Sequence, residues 1–176
     1  TPKQQPYLRS IAQGEKIGTL AFSERGTGAH FYSPEIKAEF QGNQLVINGK
    51  KSFVTNGDQA DFLVVLTNAS SEDKGLDMFM VDTRSPGVQF SGEWDGLGFR
   101  GNNSIQVEFK DVPVPLQHLI GNEGDGMDLI FQVVAPTFIL GVSGVSVGLA
   151  KGAYLSALEH AKHRKYADGR SLSEIQ

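Results

Sequence analysis

The chain has 176 residues, 39% of them hydrophobic and 20% charged, which suits one packed domain or a domain with an appendage and excludes wholesale disorder. The formal net charge is −4, without a basic block or basic-aromatic interleaving, which argues against a nucleic-acid or anionic-membrane partner. Cysteine is absent, so disulfides, thiolate catalysis and cysteine-ligated zinc are excluded.

Residues 1 to 14 are polar with a few apolar positions (Tyr7, Leu8, Ile11) and read as the end of a helical domain or a linker, closed by Gly14. No signal or transit pattern is visible, and the missing initiator methionine leads us to expect a piece of a longer protein. From 15 to 118 the pattern is that of strands. Ile36, Ala38 and Phe40 alternate with charged residues, the period of a half-buried strand. Leu45–Ile47 and Ser52–Val54 flank Asn48-Gly49, a strong hairpin signal. Phe62–Leu66 is an apolar run short enough for a strand buried on both faces. Met78–Val81, Val88–Phe90 and Ile105–Phe109 continue the series between Gly, Pro and Asn clusters. Many short strands separated by turns predict an antiparallel β-barrel or sandwich.

After Pro115 the period changes. Asp125 and Asp128 suit a first helical turn, and Leu129, Ile130, Val133, Val134, Phe138, Val142, Val145 and Leu149 recur at helical spacing. Pro136 predicts a kink or a split, the basic Lys162, Arg164 and Lys165 a helix end, and Gly169 its stop. Residues 129 to 150 carry no charge, a length that could span a bilayer. Gln132, Pro136, Thr137, Ser143 and Ser146, together with a β domain directly upstream, favour a buried bundle or interface helix instead. Gly144, Gly148 and Gly152 form a stripe suited to close helix–helix approach. His160 and His163 lie one helical turn apart, but no third ligand of convincing spacing accompanies them, so no metal site is predicted.

Four segments occur in a telling order: Phe22-Ser-Glu-Arg-Gly-Thr-Gly-Ala-His30, Asn48-Gly-Lys-Lys-Ser-Phe-Val-Thr-Asn-Gly57, Leu97-Gly-Phe-Arg-Gly101 running on to Asp111-Val-Pro-Val-Pro115, and Leu119-Ile-Gly-Asn-Glu-Gly-Asp-Gly126. Together they resemble the middle, flavin-cradling part of the acyl-CoA dehydrogenase family. The resemblance implies a mainly β fold with α: a β-barrel flavin domain over 15–118, followed over 119–176 by the first helix of an incomplete C-terminal bundle. It implies FAD as cofactor, an acyl-CoA thioester as substrate, a homo-oligomer (dimer or tetramer) through the helical region, and a possible electron-acceptor protein. The compartment would be cytoplasmic, or mitochondrial in a eukaryote.

Carried over position by position, the resemblance implies that Phe22 and Ser23 face the isoalloxazine and that Gly28 approaches the pyrophosphate. Ala29 replaces the usual serine and His30 the usual aspartate. Phe53 would pack beside the ring, and the Thr55 hydroxyl would reach its N5/O4 edge. Arg164 would reach the diphosphate of a neighbouring subunit's flavin, with Arg170 a competitor and the downstream Leu172 to Gln176 spacing kept. The Leu97–Gly101 and Asp111–Pro115 segments are expected to be structural.

The family's glutamate base lies beyond this chain in most members and, in a minority, at a helix position matching Phe138. No carboxylate occurs between Asp128 and Glu159, so no catalytic residue is assigned and the chain alone is expected to be inactive. Three readings stay open: α,β-dehydrogenation of an acyl-CoA, a flavin-dependent oxidase or monooxygenase of the same superfamily, and a non-catalytic β-barrel interaction domain.

Overall fold

The computed structural model describes residues 4–71 and 75–174. They fall into two compact units that divide between Ile130 and Phe131.

The first unit opens with a short helix, α1 (Gln5–Ala12), after which Gly14 turns in the left-handed region at φ 73. Seven strands follow: β1 (Gly18–Ala21), β2 (Lys37–Gln41), β3 (Gln44–Val54), β4 (Phe62–Asn68), β5 (Leu76–Asp82), β6 (Val88–Ser91) and β7 (Ile105–Pro113). Their order is β1-β4-β2-β3-β7-β6, with β5 on the other side of β4.

The sheet is curled but open, and mixed rather than antiparallel. β1 runs parallel to β4 from Gly18↔Phe62 to Ala21↔Val65, and β2 meets β4 in parallel at Lys37↔Asn68. The sheet departs from the expected antiparallel barrel for a topological reason. The chain leaves β1, makes the β2–β3 hairpin and comes back into β4 in the direction it started, which only a parallel pairing accepts. β5 and β6 end the sheet without pairing with each other. Bridges Leu76↔Asp125 and Phe79↔Leu119 lay the following segment along the β5 edge, blunting it.

Apolar alternation produces the core: Ile47, Val54, Leu63, Val65, Phe79, Val107, Phe109 and Val112 are all essentially inaccessible and line one continuous cluster inside the curl. β4 and β5 are buried along nearly their whole length, as the run Phe62–Leu66 predicted.

Asn48-Gly49 does not form the expected hairpin turn. The β2–β3 turn lies at Gly42-Asn43, between paired Gln41 and Gln44, with Gly42 at φ 63. Asn48-Gly49 sits inside β3, opposite an extra residue in β7 where the register shifts between Ile47 and Gly49. The Asn48 side chain accepts from the Asp111 backbone N–H (2.8 Å) and donates to the Asp111 carboxylate (3.0 Å), holding Asp111 at φ 47. The dipeptide therefore faces a β-bulge on β7, whose left-handed Asp111 the Asn48 side chain holds in place.

The helical region begins with α2 (Gly126–Leu129), passes through a π-helical turn (Ile130–Val134) and continues as α3 (Ala135–His163). The π turn directly precedes Pro136, whose missing N–H would otherwise interrupt an α ladder. By length and composition alone, Gly126–His163 could cross a membrane. No described residue of α3 is buried, and a Cβ added at Gly144, Gly148 or Gly152 would meet no atom within 4 Å. The helix stops at His163, because Arg164 turns extended (ψ 117). Gly169 is not the stop; it turns at φ 82 in a small hairpin closed by the bridge Lys165↔Ser171. Gln176 lies outside the described residues.

Candidate functional site

β1 delivers the chain into the segment Phe22–His30, and β3 carries Phe53 and leads to Thr55. Two hydrogen bonds tie these stretches together: Ser52 N–H donates to the Ser23 carbonyl (2.8 Å) and Lys51 Nζ donates to the Phe22 carbonyl (3.1 Å). Phe22 and Ser23 are thus held beside the strand residues that directly precede Phe53. Phe22 itself is buried, Ser23 is half-buried, and Gly28 and Ala29 are exposed. Gly28 takes φ 54, and no atom lies within 4 Å of where its Cβ would be, so the loop is open there.

A second register shift falls between Lys51 and Val54, where β3 has one more residue than β7. This bulge puts Phe53 in the left-handed region at φ 56. A non-glycine residue there costs about 1–2 kcal/mol. The Phe53 side chain is nevertheless 66% exposed, so core packing does not repay that cost. An aromatic held outward by a strained bulge is what a ring-binding surface requires, and bulges commonly re-aim a side chain next to a site. Trp94 flanks it edge-on, ring centroids 6.4 Å apart and planes at 88°. Trp94 is fixed by its indole N–H, which donates to the carbonyls of Gly98 (3.3 Å) and Phe99 (3.0 Å), so the Leu97–Gly101 segment braces the site.

Thr55 is exposed, with its Oγ1 3.3 Å from the Ser104 Oγ. Its neighbour Asn56, at φ 52, donates its N–H to the Asn102 carbonyl at 2.7 Å. The segment ahead of β7 is thereby pinned to the segment after β3.

The network underneath was only partly visible in the sequence. Lys51 is fully buried in the middle of β3 and pairs with Glu24 at 2.7 Å. Glu24 also accepts the backbone N–H groups of Glu35 (2.7 Å) and Ile36 (3.3 Å). Burial pulls the Lys51 ammonium down to about 8, against the opposing pull of Glu24. Neither Glu24 nor Lys51 stands among the site residues that the sequence points to. The available signal was a lysine at an inward position of an alternating strand, facing a glutamate in the adjoining loop. A separate open cleft of about 420 Å³, lined by Glu24, Arg25, Gly26, Glu35, Lys50 and Ser52 among others, includes neither Phe53 nor Thr55.

Arg164 belongs to the second unit. Its guanidinium lies over the Tyr166 ring, 5.9 Å from the centroid, whereas Arg170 pairs with Asp168 at 2.7 Å.

Comparison with known proteins matches residues 19–112 to the family described as "Acyl-CoA dehydrogenase, middle domain". The chain belongs to the acyl-CoA dehydrogenase family. Isovaleryl-CoA dehydrogenase, mitochondrial, of Pongo abelii is 36% identical, over 99% of this chain and 42% of its own length. The short-chain specific acyl-CoA dehydrogenase of Clostridium acetobutylicum is 32% identical, over 99% of this chain and 46% of its own length. Among solved structures, a probable acyl-CoA dehydrogenase from Mycobacterium abscessus superposes with a TM-score of 0.87 at 30% identity, over 98% of this chain and 46% of that one. The chain thus spans about half the length of the relatives it matches.

Acyl-CoA dehydrogenases use FAD. The donor set here suits such a group: an outward aromatic face at Phe53, an exposed hydroxyl at Thr55 with hydrogen-bonding capacity left over, and an open glycine at Gly28. Ala29 supplies no hydroxyl where the family pattern has serine.

Proposed function

We propose that this chain is the flavin-cradling part of an FAD-dependent acyl-CoA dehydrogenase, which desaturates an acyl-CoA thioester between its α and β carbons. The observation that carries the proposal is the bulge that holds Phe53 outward beside Thr55, on a strand whose preceding residues, Lys51 through Nζ and Ser52 through its N–H, hydrogen-bond to the Phe22–Ser23 stretch. Bound FAD would accept the hydride from the β carbon. Phe53 would cover one side of the ring and exclude water. Thr55 would hold a hydroxyl donor at its polar edge, Ser23 would present backbone and hydroxyl groups along the same edge, and Gly28 would allow close approach of the diphosphate. Arg164 is proposed for a diphosphate held across a subunit contact. The exposed apolar helix is proposed to pack on other helices of the whole protein or of a second copy, rather than on lipid.

The helix position that resembles a base in some relatives holds Phe138, so the α-proton is proposed to go to a carboxylate outside these residues. The test is anaerobic titration of the purified whole protein with butyryl-CoA and isovaleryl-CoA. Bleaching of a flavin absorbance band by either thioester, with slow reoxidation by air, is the expected result. Rapid oxygen consumption during turnover would select the oxidase reading, and a colourless protein that takes up no FAD would select an interaction domain.

A further inference from the structure

Ser104 is a buried hydroxyl that the proposed site leaves without a task. It directly precedes β7, is 8% exposed, and its Oγ lies 3.3 Å from Thr55 Oγ1. The two hydroxyls flank the last pair of the β3–β7 ladder, Val54↔Ile105, so strand pairing sets their separation. The Asn56 N–H to Asn102 carbonyl bond (2.7 Å) and the Asn103 amide to Asp58 carboxylate bond hold the two chain segments together on the far side of that pair.

Only one proton can lie between two facing hydroxyls, so one donates and the other accepts. Burial decides which. If Thr55 donated, the Ser104 proton would be left buried without an acceptor, at a cost of about 1–3 kcal/mol. If Ser104 donates, the remaining proton belongs to Thr55, which is exposed and can direct it outward. The second arrangement satisfies both groups. It also polarises Thr55, since a hydroxyl that accepts one hydrogen bond donates a stronger one.

We infer that Ser104 is a positioning residue: its hydroxyl donates to Thr55 and thereby makes Thr55 a directed donor to the polar edge of the bound ring. The inference rests on the flavin reading of Thr55 given above. It adds a residue that neither the loop after β1 nor the segment after β3 contains.

The test uses the FAD-loaded whole protein and measures the two-electron reduction potential, with thermal unfolding as a control. Ser104→Ala is expected to shift the oxidised-to-reduced equilibrium about tenfold toward the oxidised form, ~30 mV lower, with little change in Tm. Ser104→Thr, which keeps the hydroxyl, restores the potential. In a Thr55→Val background, Ser104→Ala adds nothing further, because Ser104 acts through Thr55. If Ser104→Ala does not fold, Ser104→Thr and Ser104→Val give the same comparison, being alike in shape and different in the hydroxyl. A lowered potential in Thr55→Val with no change in Ser104→Ala overturns the role of Ser104 and leaves the flavin site standing. Additive losses in the double variant overturn it as well. An unchanged potential in Thr55→Val removes the site assignment and the Ser104 inference with it.

Discussion

At the scale of single residues, Thr55 and Lys51 carry the sharpest expectations. Replacing Thr55 by Val removes a hydroxyl and keeps the shape. Loss of one hydrogen bond, about 1 kcal/mol for a neutral partner and up to roughly 3 for a charged one, lowers the flavin potential by about 20–65 mV at ~30 mV per 1.4 kcal/mol. Redox titration of the two proteins measures it directly. The Lys51–Glu24 pair is a matter of stability. Lys51→Ala leaves the Glu24 carboxylate buried without its cation and is expected to cost about 3–5 kcal/mol in urea unfolding, whereas Lys51→Met with Glu24→Leu costs much less. Proton linkage gives the same site a pH signature. The folded-state value of Lys51, about 8, lies below its ordinary 10.5, so the unfolded chain binds more protons in between. Unfolding free energy therefore gains a rising contribution as pH goes from about 8 to 10.5, and that contribution disappears as pH falls through 8. Lys51→Met should lack this slope, which unfolding curves across that window will show.

Among the elements, β3 is where stability and site separate. Its bulge forces Phe53 to φ 56, an arrangement glycine adopts without cost. Phe53→Gly should therefore leave the fold as stable or raise its unfolding free energy by about 1 kcal/mol, since the mostly exposed ring buries little. The same change should weaken FAD retention by removing the aromatic face. Paired urea unfolding and FAD-binding measurements test the split; a variant that loses stability and keeps FAD would mean that the bulge serves the core. The π turn before Pro136 and the open stripe of Gly144, Gly148 and Gly152 belong to the helical region. There the sequence pattern identified the helix and its basic end near Lys162 and Arg164, but not the stop. Gly169 was read as a stop because glycine ends many helices, yet the chain leaves the helix at Arg164 because residues 165 to 171 form their own hairpin.

For the whole molecule, the 176 residues by themselves are expected to hold FAD weakly and to turn over no acyl-CoA, since the helix position that the resemblance matches to a base holds Phe138. Turnover by the isolated chain with added FAD and an artificial acceptor, abolished by removing Glu24, Glu123, Asp125 or Asp128, would refute that. The sequence alone determined what local chemistry encodes. It placed the strands up to His118, past the end of β7 at Pro113, and helix after Gly124, because period-two and helical spacing are properties of consecutive residues. It also identified the family, because the motifs are short and contiguous. Non-local pairing was decided only by the tertiary structure. Whether β1 runs parallel to β4 depends on how the chain returns, and no residue in either strand records that. Asn48-Gly49 fits both a hairpin and a bulge, and its pairing with Asp111, far along the chain, decides between them. Lys51 stands at an inward position of its strand, but its partner Glu24 is known only from the folded chain, and Ser104 acquires a partner only when β7 pairs with β3 and sets its hydroxyl beside Thr55.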